Sequence, residues 1–366
     1  MTPRQLRNTK RRAWLLRRSR RVSSHRNKLT RSRGAFGRRF VIKPAPRVSR
    51  TLHLPKILSL REDLTGAVNF FKSLENAFEV RGLSTITIDH TRLQSLSPEA
   101  ALVLLAEFAR LNHHFPQVSL FARGTCGSAE VEDLLDCIGY NDRFSIKTNR
   151  PNIRRSRHRS TVTYVKARSG VKISMDVVTE LVDHFQRLVG FSEVQAERLM
   201  VSLGELMNNV TQHAYPEELQ DGRRWGRKCW WLLGYTDESC RQVYFALLDQ
   251  GVGLPMTLKP KWRDVDLLLI PRSEAEMVMR AFSKRRSRTN QEHRGRGLTT
   301  LRRYIHEARS GELFTQTAQV ECCFFPQGAR PMAKSTQVPL AGTLMVWHVE
   351  DTSNGDEQYS PANSED

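Results

Sequence analysis

The segment Glu205-Leu-Met-Asn-Asn-Val-Thr-Gln-His-Ala214 sets a carboxylate, an amide and an imidazole four residues apart. An α-helix turns about 100° per residue, so a step of four advances only about 40° around its axis. Glu205, Asn209 and His213 therefore line one narrow polar stripe. Leu199, Leu203, Leu206 and Val210 form an apolar stripe beside it, wide enough to seat the helix on a core. Taken alone, the polar stripe fits the wet face of a surface helix as well as the wall of a cleft.

The segments that follow supply the partners a cleft would need. Residues 177–189 and 193–214 read as two helices, the second ended by Tyr215-Pro216. Residues 229–235 and 243–248 read as a β-hairpin whose second strand runs directly into Asp249-Gln-Gly251-Val-Gly253. A carboxylate at the end of a buried strand can accept a hydrogen bond from an exocyclic amine such as that of adenine, and glycines just after it let backbone approach a base. After a helix at 273–282 and a basic run at 284–288 comes Arg294-Gly295-Arg-Gly297-Leu298, opening a helix at 299–308. A glycine pair there presents unpaired N–H groups to phosphates, aided by the helix dipole. Asn209 can complete the coordination of a magnesium ion on those phosphates, and Glu205 can orient or deprotonate an attacking water or hydroxyl. Strands at 312–316 and 342–349, the latter opening Gly342-Thr343, close the order.

The preceding region alternates strands and helices: a strand or strand pair at 51–60 interrupted by Pro55, a helix at 63–79, a strand at 85–89, a helix from Ser97-Pro98 through 111, a strand at 118–121 and a helix at 131–138 stopped by Gly139. This pattern predicts an α/β layer. Ser97, with proline after it, suits a helix N-cap better than a phosphorylation target. Between the two regions, residues 145–172 carry nine Lys/Arg, one His and no acid, and read as a linker in which 161–165 forms an entering strand.

The net charge of +20 is concentrated at the start of the chain. Residues 1–50 hold 18 Lys/Arg and no Asp or Glu, whereas the other 316 residues hold 40 basic and 38 acidic groups. Such a block is expected to be disordered alone and could contact nucleic acid through its phosphates. An amphipathic piece at 11–18 suits an anionic membrane surface equally, and an Arg-rich, acid-free leader also fits a mitochondrial transit peptide. Six scattered cysteines (Cys126, Cys137, Cys229, Cys240, Cys322, Cys323) suggest buried thiols rather than zinc or disulfides. With no membrane-spanning run and no secretory leader, a cytoplasmic protein is expected.

Over residues 174–350 the motif order resembles the GHKL superfamily of gyrase-type topoisomerases, chaperone ATPases, histidine kinases and mismatch-repair ATPases. Glu205, Asn209 and His213-Ala214 match its N box; Asp249, Gly251 and Gly253 its adenine-reading box; Gly295, Gly297 and Leu298 its glycine box; Thr343 its last strand. The resemblance implies a Bergerat-type α/β sandwich binding ATP and Mg2+ under a lid at 254–294. Thr299-Thr300 replaces the second glycine of the usual Gly-Leu-Gly run. No phosphoacceptor-histidine helix pair precedes the domain and no transducer domain follows it, and His213 reads as a packing residue. Residues 51–146 resemble the STAS fold of anti-sigma-factor antagonists, through the strand ending at Asp89, the helix from Ser97 and the segment 134–140, but lack the family's usual phosphosite run.

The resulting organisation is a basic tail at 1–50, a STAS-like domain at 51–146, a linker at 147–172, a Bergerat-type domain at 173–350 and an acidic tail at 351–366. His-Ala-Tyr-Pro at 213–216 most resembles anti-sigma-factor serine kinases. The expected function is ATP hydrolysis or serine phosphotransfer, with Glu205 as base, driving partner switching with a sigma-regulator type of protein. The alternative is a nucleotide-gated switch for a nucleic-acid or protein contact, without kinase activity; a homodimer is compatible with either. Deleting residues 1–50 should abolish a salt-sensitive gel shift of DNA or RNA, and an unchanged shift would remove the tail from consideration.

Overall fold

Residues 230–233 are Trp-Trp-Leu-Leu, 245–248 Phe-Ala-Leu-Leu and 344–347 Leu-Met-Val-Trp. Successive side chains of a strand point to opposite faces, so runs without alternation fit only a sheet covered on both sides. The structure, a computed structural model, has that arrangement. It describes residues 47–144, 162–190, 192–217, 228–237, 242–259, 271, 273–283, 297–308 and 310–350. The basic tail through residue 46, linker residues 145–161, the basic run at 284–288, Gly295, much of the expected lid and the acidic end from 351 lie outside the described residues.

The fold is mixed α/β, with parallel and antiparallel sheets. The parallel sheet has the order β1 (Val48–His53), β3 (Leu83–Asp89), β5 (Ser119–Arg123). A two-residue parallel pair, β2 (Ile57–Leu58) with β4 (Ser95–Leu96), lies beside it in sequence. Helices α1 (Leu64–Phe78), α2 (Pro98–His114), α3 (Ala129–Cys137) and α4 (Tyr140–Phe144) complete this region. Asp63 caps α1 and Ser97 caps α2, its hydroxyl accepting from the Ala100 N–H at 3.4 Å. Gly139 takes a φ of +82° just past α3, as its place after that helix anticipates.

The antiparallel sheet has the order β10 (Gly311–Phe324), β11 (Met332–Glu350), β9 (Gln242–Asp249), β8 (Trp230–Asp237), β6 (Val162–Tyr164), with β7 (Arg168–Gly170) also pairing β8. The entering strand expected at 161–165 is β6, whereas β7, read from sequence as linker, also pairs β8: a strand of three residues whose partner is remote leaves little pattern. β10 and β11 likewise run well past the expected 312–316 and 342–349, forming a long hairpin bulged at Ala318.

Helices α5 (Met175–Val189), α6 (Glu193–Asn209), α8 (Glu274–Ser283) and α9 (Gly297–Glu307) belong to the region of the antiparallel sheet, with the short α7 (Leu254–Leu258) following β9. Trp230, Leu232, Phe245, Leu247, Met345 and Trp347 share one buried cluster with these helices. Trp231, Leu233, Ala246, Leu248, Leu344 and Val346 join the other, whose remaining members come largely from the first region. There α1 packs on β11, and α2 on β8 and β9. The two sequence regions therefore share a core. Each large apolar side chain transferred from water contributes about 1.5–3 kcal/mol, so six inward positions on that face are a substantial fastening.

Polar contacts cross the same seam. Arg61 on the first region pairs with Glu312 of β10 at 2.7 Å and lies 5.0 Å over the Phe314 ring. Glu99, in the first turn of α2, is buried, and that burial raises its pKa above the ordinary carboxylate value despite a hydrogen bond from Ser97. Cys229, Cys322 and Cys323 are buried, and loss of hydration pushes the last two up to about 12 and about 11. Cys126 is half-buried and Cys137, at the end of α3, is exposed, unlike the uniform burial expected of them; Cys240 lies outside the described residues. No described helix is long and apolar enough to cross a membrane.

A raised carboxyl pKa contributes stability that is present below the unfolded-state value and is lost as pH rises through the folded-state value. Glu99→Gln should therefore melt above wild type near neutral pH, with the gap closing on acidification. A constant gap in melting temperature across pH would show that Glu99 does not titrate with folding.

Candidate functional site

The polar stripe of α6 is set by ordinary helix chemistry at one end and by an irregularity at the other. A capping box between Ser192 and Gln195 starts the helix. After Asn209 the α-helix gives way to a π turn, Val210–Ala214. His213 lies in this turn, widened by hydrogen bonds that span five residues. It is exposed, yet borders the mouth of a cavity.

That cavity has an empty volume of about 1010 Å³, its open mouth included. Asn209, Asp249, Gly253, Leu298 and Thr343 line it, residues spread over 135 positions of sequence. The sheet register explains part of this convergence. Trp230 of β8, Asp249 of β9 and Thr343 of β11 lie side by side, and Thr343 pairs in turn with Thr317 of β10. Leu206, Val210, Leu247, Leu258 and Met345 supply apolar wall, giving a mostly apolar pocket with a few polar groups.

Asp249 is buried, and its Oδ1 accepts the Gly251 N–H at 2.9 Å. The turn behind it is fixed from the helix side: Tyr215 accepts the Gln250 N–H at 3.0 Å and donates to the Cys229 carbonyl at 2.8 Å. Burial, with the nearby Asp249 carboxylate second, drives the Tyr215 phenol far above its ordinary pKa, so it stays a neutral donor. Gly251 abuts backbone: a Cβ there would stand 2.0 Å from the Ala214 carbonyl oxygen, which accepts from the Val252 N–H at 2.9 Å. The end of the π turn and the turn at 249–253 are thereby locked together.

Glu205 and Gly297 stand behind the cavity wall. Gly297 opens α9 against α6, where a Cβ would lie 2.5 Å from Asn209 Nδ2 and 3.2 Å from Glu205 Cβ. Glu205 Oε2 is buried and has no hydrogen-bond partner among the described residues. A carboxylate oxygen out of water without a donor is costly, and such an atom points to a group that completes it. Gly295 lies outside the described residues.

Two further residues at or beside the cavity carry no sequence motif. Thr317, behind Thr343, accepts from the Leu254 N–H at 2.9 Å and reaches the Gly342 carbonyl and the Thr343 hydroxyl at 3.1 Å each, tying β10, β11 and α7. It is one of several polar residues of β10, and nothing in the sequence sets it apart. Arg280 of α8 reaches the cavity and forms an ion pair with Glu276; nothing distinguished it among many arginines. Helix α8 itself, expected within a mobile lid, buries Ala275, Met277, Val278 and Phe282 in the core.

Comparison with protein-family models and with curated proteins finds no match for this chain. Because Gly251 admits the Ala214 carbonyl, Gly251→Ala should destabilise the protein by about 1–3 kcal/mol, the usual range for overpacking. Urea unfolding measures this, and a midpoint equal to wild type would contradict the close approach.

Proposed function

We propose that this cavity binds ATP with magnesium, in a Bergerat-type arrangement resembling the GHKL superfamily, and that the region before it is STAS-like. The observation that carries the reading is the meeting of Asn209, Asp249, Gly253, Leu298 and Thr343 around one mostly apolar cavity; behind its wall lies Glu205 Oε2, buried with no hydrogen-bond partner among the described residues. Strand register alone brings Asp249 beside Thr343; the addition of Asn209 and Leu298 from two helices is what a shared ligand would use.

Asp249 would accept the adenine amine while still holding the Gly251 N–H, and Leu206, Leu247 and Met345 would cover the base. The start of α9, from Gly297 and Leu298, would face the phosphates with its N-terminal N–H groups. Asn209 would hold the magnesium ion, which would supply charge neutralisation at the phosphates. Glu205, one turn earlier on α6, would take a proton from water or from an acceptor hydroxyl. Thr317 and Thr343 hold the floor of the site rigid.

The seam between the two regions bears on how ATP would be used. A shared apolar core favours a change of shape within one body over release of the STAS-like region as a switching partner in cis. Ser97 supports the same view, since its side chain caps α2. A sigma-regulator type of partner would then be a separate chain. Gly297, packed on Asn209, would couple the phosphate end of the site to the same helix.

Labelled ATP and magnesium test the reading directly. Asp249→Asn keeps an acceptor for Gly251 but sets an amide against the adenine amine, and should weaken ATP binding about 10- to 100-fold by calorimetry. Equal affinity would exclude the adenine role. Glu205→Ala should retain ATP binding and lose phosphate release or serine labelling about 10²–10⁴-fold; full turnover in that variant would exclude Glu205 as the base.

A further inference from the structure

Gln250 occupies the variable position of Asp249-x-Gly251, and its two ends are held by different parts of the chain. Its N–H donates to Tyr215 at 3.0 Å, beside the π turn. Its side-chain Nε2 points the other way and donates to Glu107 Oε1 of α2 at 2.7 Å, across 143 residues of sequence. Glu107 is oriented in turn by Arg110, whose Nη2 and Nε reach Glu107 Oε2 at 2.6 and 3.1 Å. Arg110 also donates to Glu75 of α1 at 3.0 Å. Gln250, Glu107 and Arg110 are 5%, 6% and 3% exposed, so this chain of charged hydrogen bonds runs inside the seam.

Docking the first region on the sheet does not require these groups, because Trp231, Leu233, Leu248 and their neighbours already bury an apolar face there. Removing a carboxylate and a guanidinium from water is unfavourable unless their directional bonds are used. What the bonds direct is the turn 249–251. Asp249 is tied to the Gly251 N–H, Gly251 to the Ala214 backbone, and Gln250 to Tyr215 on one side and Glu107 on the other. With the Gln250 amide released, the turn would keep its strand pairing and its helix-side contacts but lose its tie to α2, and could shift relative to the seam.

We propose that Gln250, held by Glu107 of α2 with Arg110 behind it, is a positioning residue for adenine recognition, so that the N-terminal region forms a working part of the nucleotide site. This rests on the ATP reading above. It gives the first region a role in ligand selection that a separately folded neighbour would not have.

The test compares ATP and GTP binding by calorimetry, with magnesium, in the full chain. Gln250→Met keeps length and removes the bond; Gln250→Glu sets two carboxylates together; the double variant Gln250→Glu plus Glu107→Gln restores an amide–carboxylate pair with the polarity exchanged and the net charge of the cluster unchanged. The preference for ATP over GTP should fall about tenfold in both single variants and recover in the double variant. Thermal midpoints without nucleotide, measured in parallel, separate this from loss of fold. Single variants with the wild-type preference, or with both nucleotides weakened equally, overturn the positioning role. A wild-type protein that binds no ATP overturns the pocket reading itself, an outcome visible before any variant is made.

Discussion

Two-sided burial of one antiparallel sheet governs this structure. Strands β8, β9 and β11 carry large apolar side chains at successive positions, so either face left open would expose tryptophan and leucine to water. Helices α5, α6, α8 and α9 cover one face and the α1–α2 layer covers the other. Everything at the candidate site hangs from that arrangement. The cavity opens where α6, α7, α8 and α9 meet the helix-covered face, and its polar residues include Asn209 at the end of α6, Asp249 at the end of β9, Thr343 in the interior of β11 and Arg280 in the later half of α8.

The seam on the opposite face combines two kinds of interaction with different consequences. Apolar burial fastens the regions without fixing their angle, since it is non-directional. The Arg61–Glu312 pair and the Gln250–Glu107–Arg110 chain are directional and tie named atoms together. The second of these ends on the turn that presents Asp249. A change in the first region has a physical route to the pocket, and a ligand in the pocket has the same route back. Coupling between sites is reciprocal when one element joins them.

Much of the secondary structure was legible in local chemistry. Ser97 followed by proline, Gly139 after an apolar helix, and the alternation at 85–89 each act through neighbours in sequence, and each produced the expected element. The π turn was not legible, because Val210–Ala214 is apolar and polar at spacings that suit an α-helix; its widening meets the Gly251 turn, a contact made 37 residues away. β6 was legible as the entering strand at 161–165, but β7 was not: its pairing partner is the distant β8, and a three-residue strand carries too little pattern to announce itself. Thr317 and Arg280 lacked any motif, their importance arising from register and helix packing alone.

By itself the sequence determined the candidate residues, since Glu205, Asn209, Asp249, Gly251, Gly253 and Gly297 are marked by residue type and short spacing, which local backbone chemistry controls. It also carried, in the unbroken apolar runs at 230–233 and 344–347, the requirement that the sheet be covered twice. Only the tertiary structure decided what does the covering. It brought α2 rather than solvent or another chain onto β8 and β9, set Gln250 against Glu107, and widened the end of α6 into a π turn. Those outcomes depend on contacts between residues far apart in the chain, whose geometry follows from packing and hydrogen-bond direction and leaves no local spacing to read.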